Sequence, residues 1–176
     1  YLNMLETSSA IYEKNGDYAL GLFSSGWCQF LDTASRKLCK TDDNKDALAC
    51  GKWLCHESCW QDASLKAINS GKPIDAECCG GIHLYAVPIS VSGEMVGAIN
   101  VGYGNPPEDD VKLQQISDQF QVPIEVLQKK REEYQARPPF IIDYAKKRIQ
   151  NSARLIGNLV EREQAIKKLA ENEALL

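Results

Sequence analysis

The alternation of apolar and polar residues changes character twice along the chain. Residues 1–104 mix short apolar runs with glycine-marked turns, residues 105–140 are polar and helical between prolines, and residues 141–176 carry one long amphipathic stripe interrupted only by Gly157. In "SSAIYEKNGDYALGLFSS" (8–25) two strand-like runs flank Asn15-Gly16-Asp17. That is a hairpin signal, because glycine takes the positive φ of a tight turn without steric cost. Phe30, Leu31, Ala34 and Leu38 recur at helical spacing within 27–40. Trp60, Ala63, Ala67 and Ile68 do the same ahead of Gly71, so a second helix is expected around Glu57–Ser70.

The strongest strand signal lies at "IHLYAVPIS" (82–90) and "EMVGAINVGYG" (94–104), joined by the tight turn "VSG". Val96, Ala98, Ile99 and Val101 are apolar almost without alternation, the pattern of a strand covered on both faces. Helices cover one face, and a ligand-filled cavity is the expected cover of the other. Two surface helices follow. One opens at Pro106-Pro107 with acids in its first turn; the other opens at Pro123 and stops before Pro138-Pro139. In the tail, apolar or small residues at 142, 145, 149, 152, 156 and 159 make a coiled-coil seam, which continues one residue out of step through Ile166, Leu169 and Leu176. A helix this long and polar needs a partner helix, or for its first half the surface of its own domain.

Charge and composition narrow the function classes. A net charge of -4 over 176 residues supplies no basic footprint, which argues against nucleic acid and anionic membrane as partners. No apolar run approaches the roughly 20 residues that span a bilayer. The chain opens at "YLNMLETSSA" without an initiator Met and reads as a piece of something longer. We expect a domain over residues 1–140 and a signalling helix over 141–176 that leads to a further domain.

Seven cysteines, Cys28, Cys39, Cys50, Cys55, Cys59, Cys78 and Cys79, cannot all pair within one chain. Reduced thiols and a cytoplasmic location fit them best. Their spacings match no standard zinc or iron–sulfur pattern, yet five fall within residues 50–79. Three readings therefore stand together: a bound soft metal or cluster, a thiol redox role, and packing as small hydrophobes. His56 beside Cys55 and His83 near Cys79 raise thiol catalysis, but no nucleophile elbow, Walker loop or metalloprotease motif accompanies them. "TDDNKD" (41–46) has the composition of a calcium loop without its ligand spacing, and reads as a solvated turn. A non-enzymatic fragment is expected.

The order "LCK" (38–40), "ESCWQDA" (57–63), "CCGGI" (78–82), "AVPISVSGEMVGAINVGYG" (86–104) and "ISDQFQVPIEVLQKKREEYQARPPFIIDYAKKRIQNSARLIGNLV" (116–160) resembles the PocR sensory domain, a PAS-like and GAF-like module of bacterial and archaeal signalling proteins. The resemblance covers roughly residues 5–160. It implies an α+β fold: a PAS/GAF-like central antiparallel sheet with flanking helices and a long C-terminal signalling helix. Where the family commonly has Cys-His-(small)-Gly-Leu, this chain has Cys78-Cys79-Gly80-Gly81-Ile82, so Cys79 stands in the histidine position. The family's other two cysteines fall on Cys39 and Cys59. That match marks Cys39, Cys59 and Cys78, with Cys55 or Cys79, as a candidate metal set for zinc or an iron–sulfur cluster.

The resemblance further implies a receptor for a small organic molecule, of the diol or hydrocarbon-derivative kind. Its output would be a two-component histidine kinase or a cyclase, reached through a homodimeric coiled coil. The wall of the ligand cavity is expected among Trp27, Phe30, Trp53, Trp60, Tyr85, Ile99 and Tyr103, since aromatics concentrate near the cysteine segment and the strands. The alternative is a cysteine-based metal, iron–sulfur or redox sensor.

Overall fold

A computed structural model describes residues 8–23 and 25–173. Five antiparallel strands form one sheet in the order β2-β1-β5-β4-β3. They are β1 (Ser8–Glu13), β2 (Tyr18–Phe23), β3 (Ile74–Glu77), β4 (His83–Val91) and β5 (Glu94–Tyr103). The predicted hairpins are present. β1 and β2 turn at Asn15-Gly16-Asp17, and β4 and β5 turn at Ser92-Gly93, with β5 central between β1 and β4. The short edge strand β3, four residues of mixed polarity, was not legible in the apolar pattern.

The helices are α1 (Gly26–Lys37), α2 (Asn44–Ala49), α3 (residues 54–70), α4 (Asp110–Phe120), α5 (Ile124–Glu133) and α6 (Pro139–Glu173). Ser25 caps α1 by accepting from the Cys28 amide, and Trp27, Leu31 and Ser35 make its buried stripe at four-residue spacing. The run read as a solvated turn instead starts α2: Asp43 accepts from the amides of Lys45 and Asp46 and caps that short helix. α3 starts three residues earlier than predicted, and its middle, Ser58–Ser64, is π-helical. Such a widening is rare and occurs mostly at functional sites.

The two faces of the sheet have different covers. On one, α1 packs with α4 and α5 through Trp27, Leu31, Ile82, Leu113, Ile116, Phe120 and Leu127, while α3 lies across Ala10, Tyr12, Leu84, Ala86 and Ala98. On the other, Ile149, Ala153 and Ile156 of α6 pack on Val87, Ile89, Ile99 and Val101. The first half of the seam expected to meet a partner helix therefore meets the chain's own sheet. Strand β5, buried on both faces, offered that apolar surface. At Gly157 the helix comes so close to the Ser90 carbonyl that any side chain would collide with it.

Polar contacts fix the register of α6 on the sheet. Lys146 Nζ reaches Asp75 Oδ2 at 2.6 Å and the Tyr103 hydroxyl at 3.0 Å, and lies over the Tyr103 and Tyr85 rings. Gln150 Nε2 donates to the Tyr85 hydroxyl at 2.6 Å. Further along, Leu155, Leu159, Ile166 and Leu169 are exposed. No helix among the described residues is long and apolar enough to cross a membrane.

Candidate functional site

Strand alternation decides what faces the space between the sheet and the helices. Along β5 the even positions Ala98, Asn100 and Gly102 look toward α1 and α3, while Ile99, Val101 and Tyr103 look toward α6. Small residues on the inner face leave a cavity of about 40 Å3. It holds roughly three waters when one probe sphere is counted per water. Its wall is built from the start of β1 (Ser8, Ser9, Ala10), from Trp27, Cys28 and Leu31 of α1, from Cys55 and Cys59 of α3, and from the Cys78–Ile82 bend, with Leu84, Asn100 and Gly102 completing the sheet side.

All five free cysteines, Cys28, Cys55, Cys59, Cys78 and Cys79, line this one cavity. The remaining two, Cys39 and Cys50, form a disulfide that ties the end of α1 to the end of α2. Cys39, expected in the metal set, is thereby placed elsewhere. Its sulfur is bonded to Cys50, and its place near the other thiols is taken by Cys28, one residue from Trp27 on the buried face of α1. The expectation of uniformly reduced thiols is corrected by the same bond. Among the described residues, no group of three or more His, Cys, Asp or Glu side chains is arranged to hold a metal ion. The thiols surround a space; they do not converge on a point.

Of the seven residues expected in the cavity wall, Trp27 lines it, and its Nε1 donates to the Gly80 carbonyl at 2.9 Å. Phe30 packs against the α1–α4–α5 core, and Trp60 packs with Tyr12 and Ile68. Trp53 donates to Asp32 Oδ1 at 2.7 Å and lies under Arg36, away from the cavity. Tyr85, Ile99 and Tyr103 belong to the α6 face. Aromatic concentration was the wrong signal, because the space exists where side chains are small. The usable signal was the period of two in "GAINVG" (97–102), which places Ala98, Asn100 and Gly102 together on one face.

Two features organise the wall. Asn100, 2% exposed, accepts from the Ala10 amide at 3.1 Å and donates to Ser64 Oγ at 3.1 Å and to the Cys59 carbonyl at 3.4 Å. One side chain thus joins β1 to both ends of the π-helical stretch. Ser8, 8% exposed, is different: its hydroxyl oxygen is buried and makes no hydrogen bond among the described residues, although it lies near enough to the Cys28 sulfur to favour the ionised form of that thiol. A buried hydroxyl left in this way costs about 1–3 kcal/mol.

Burial pushes up the thiols of Cys28 and Cys59, and that of Cys78 to about 12. Cys55 and Cys79 act as a pair. The Cys55 thiol hydrogen-bonds the Cys79 sulfur, raising Cys55 and lowering Cys79, and the Ser58 hydroxyl adds to the second effect. Cys79 is fastened to α3 twice more, by its amide to Ser58 Oγ at 3.0 Å and by its Sγ to the Leu54 carbonyl at 3.2 Å.

Behind α3, His56 is packed among Tyr12, Tyr18 and Trp53, with Nδ1 at 3.2 Å from the Tyr18 hydroxyl. Burial lowers its pKa to about 4. The unfolded ring takes a proton near pH 6.5 and the folded one only near 4, so folding stability should fall as pH drops through that window. Asp32, whose carboxyl burial raises, works in the opposite direction, since protonation favours its folded form. Urea midpoints measured between pH 7.5 and 4 should decline in the wild type and decline less in His56→Gln; parallel curves would refute the assignment.

The family model for the sensory domain found in PocR matches residues 2–162. No curated protein and no solved structure matches the chain.

Proposed function

The chain belongs to the PocR sensory-domain family, and from that premise we propose that it perceives a small organic molecule in the thiol-walled cavity and passes the signal on through α6. The observation that carries the reading is Ser8: it lines an otherwise apolar cavity, and its buried hydroxyl has no hydrogen-bond partner among the described residues. A guest with a hydroxyl group and a few heavy atoms would satisfy it, as a short alcohol or diol does. The cavity size supports guests no larger than this unless the wall moves.

The route outward is short. The sheet is one strand thick, so Asn100 on the cavity side and its neighbours Ile99 and Val101 on the α6 side share a backbone. A guest that shifts β5 bears on the helix through those side chains and through the Lys146–Asp75–Tyr103 contacts. It can do so only as far as its affinity differs between the two positions of the helix. Exposed Leu155, Leu159, Ile166 and Leu169, spaced by four, seven and three, support pairing of the second half of α6 in a homodimer ahead of a kinase or cyclase output. A cytoplasmic place accords with that role.

Thermal denaturation over a series of alcohols and diols tests the reading. A guest at a hundredfold excess over its Kd adds about 2.7 kcal/mol, which for a domain of this size raises Tm by roughly 5–10 °C. Ser8→Ala should remove most of that rise while leaving the unliganded protein as stable as before or slightly more so, because it deletes an unpartnered group. A full response in Ser8→Ala, or no response to any member of the series, would overturn it.

A further inference from the structure

We propose that Cys55 and Cys79 form a reversible redox pair, oxidised to a disulfide by a small peroxide admitted to the cavity. The pair is set apart from the other free thiols by position. The Cys79 amide and sulfur both bond to the first turns of α3, at Ser58 Oγ and the Leu54 carbonyl, which holds the sulfur beside that of Cys55. Both residues keep accessible surface, and both line the cavity. A peroxide has two oxygen atoms and fits a space that holds about three waters.

The electron count closes without another reactant. The Cys79 thiolate attacks one peroxide oxygen, the O–O bond breaks, and the leaving oxygen departs as water after taking the thiol's proton; Cys79 becomes a sulfenic acid. The Cys55 sulfur then attacks that sulfur, the S–O bond breaks, and the oxygen leaves as a second water with the proton of Cys55. Two thiols lose two electrons and hydrogen peroxide gains them. The neighbours fit these roles. The resting Cys79 thiol donates to the Leu54 carbonyl, a bond given up on ionisation. The hydrogen bonds from Cys55 and Ser58 remain and favour the Cys79 thiolate against its burial, whereas Cys28, Cys59 and Cys78 are held protonated by burial.

The product would staple the first turn of α3 to the Cys78–Ile82 bend, across the cavity wall. The chemistry of the pair stands alone; only its effect on the guest rests on the sensory reading above.

The test uses the whole chain, reduced under mild conditions and then treated with one equivalent of hydrogen peroxide. Intact mass should fall by two hydrogens, and peptide mapping should find Cys55 linked to Cys79, with Cys39–Cys50 present before and after. In Cys55→Ser the reaction should halt at the sulfenic acid, trapped by dimedone on Cys79. Cys55→Ala repeats that arm should the serine disturb the fold. Linkage of Cys79 to Cys78 or Cys59, or absence of both the mass loss and the dimedone adduct, overturns the proposal. Alcohol response is measured on reduced and oxidised protein alike. A mapped Cys55–Cys79 bond with no alcohol response in either form upholds the redox pair and sinks the sensory reading, so the two fail separately.

Discussion

Asn100→Ala is expected to cost about 3–4 kcal/mol of folding stability, seen as a Tm lower by roughly 10 °C. The side chain serves three buried groups: the Ala10 amide, the Ser64 hydroxyl and the Cys59 carbonyl. Ala10 and Asn100 are directly opposed in the β1–β5 pairing, so the Ala10 amide has no solvent to fall back on. Removing the amide leaves one donor, the Ala10 N–H, and two acceptors, Ser64 Oγ and the Cys59 carbonyl, short at about 1–3 kcal/mol each, and partial relaxation or a water in the enlarged cavity recovers some of that. Urea unfolding should show the midpoint falling with little change in slope. Ser64→Ala alone should cost about 1 kcal/mol, because Asn100 keeps its other two partners. The double variant should then fall short of the sum, as expected for groups in direct contact. Additive losses would mean that Asn100 acts through packing alone.

The same residue shows what the sequence could and could not reveal. Hairpins, the second surface helix and the long tail were visible because each rests on a local signal: Asn-Gly, Pro123 at a helix start, a stripe at three-four spacing. Helix α4, expected to open at Pro106-Pro107, instead starts at Asp110, where the Asp109 carboxylate accepts from the Val111 amide and caps it. The near-continuous apolar run of β5 correctly foretold two covered faces. What it could not tell was which cover lay where. α6 supplies the second cover, and the cavity lies on the side shared with α1 and α3.

The family resemblance found the cysteines' segment but not their partition. Cys39 pairs with Cys50 across a cap set by Asp43, and that contact between two short helices leaves no periodic trace. Cys28 entered the site through the turn of α1, invisible to spacing counted between cysteines. The aromatic residues misled for a physical reason. Large side chains fill space, so Trp53 and Trp60 mark packed core, whereas Ser8, Ala10 and Gly102 mark the void. Ser8 itself carried no local signal, since only burial without a partner makes a serine informative.

Gly81→Ala should be nearly as damaging as the loss of Asn100, at about 3 kcal/mol, and the reason lies in the bend that carries both Cys78 and Cys79. Gly81 has φ +76°, a left-handed conformation that costs a residue with a side chain about 1–2 kcal/mol. A Cβ there would also run into the ring of Pro107 and press on Ile116, an overpacking cost of about 1–3 kcal/mol. Gly93 offers the control. Its φ is +87°, but a Cβ on it meets open space, so Gly93→Ala should pay the backbone term and nothing more. The difference in Tm between the two variants therefore measures the contact with Pro107 and Ile116. If strain in the bend is relieved by moving it off α3, the Cys79 amide loses Ser58 Oγ and the Trp27 indole loses the Gly80 carbonyl. Thiol labelling of Cys78 and Cys79 should then accelerate in Gly81→Ala and stay at the wild-type rate in Gly93→Ala. Equal labelling and equal Tm in the two variants would show that the bend is held by its own turn, Gly81 amide to Cys78 carbonyl, and not by the helices packed around it.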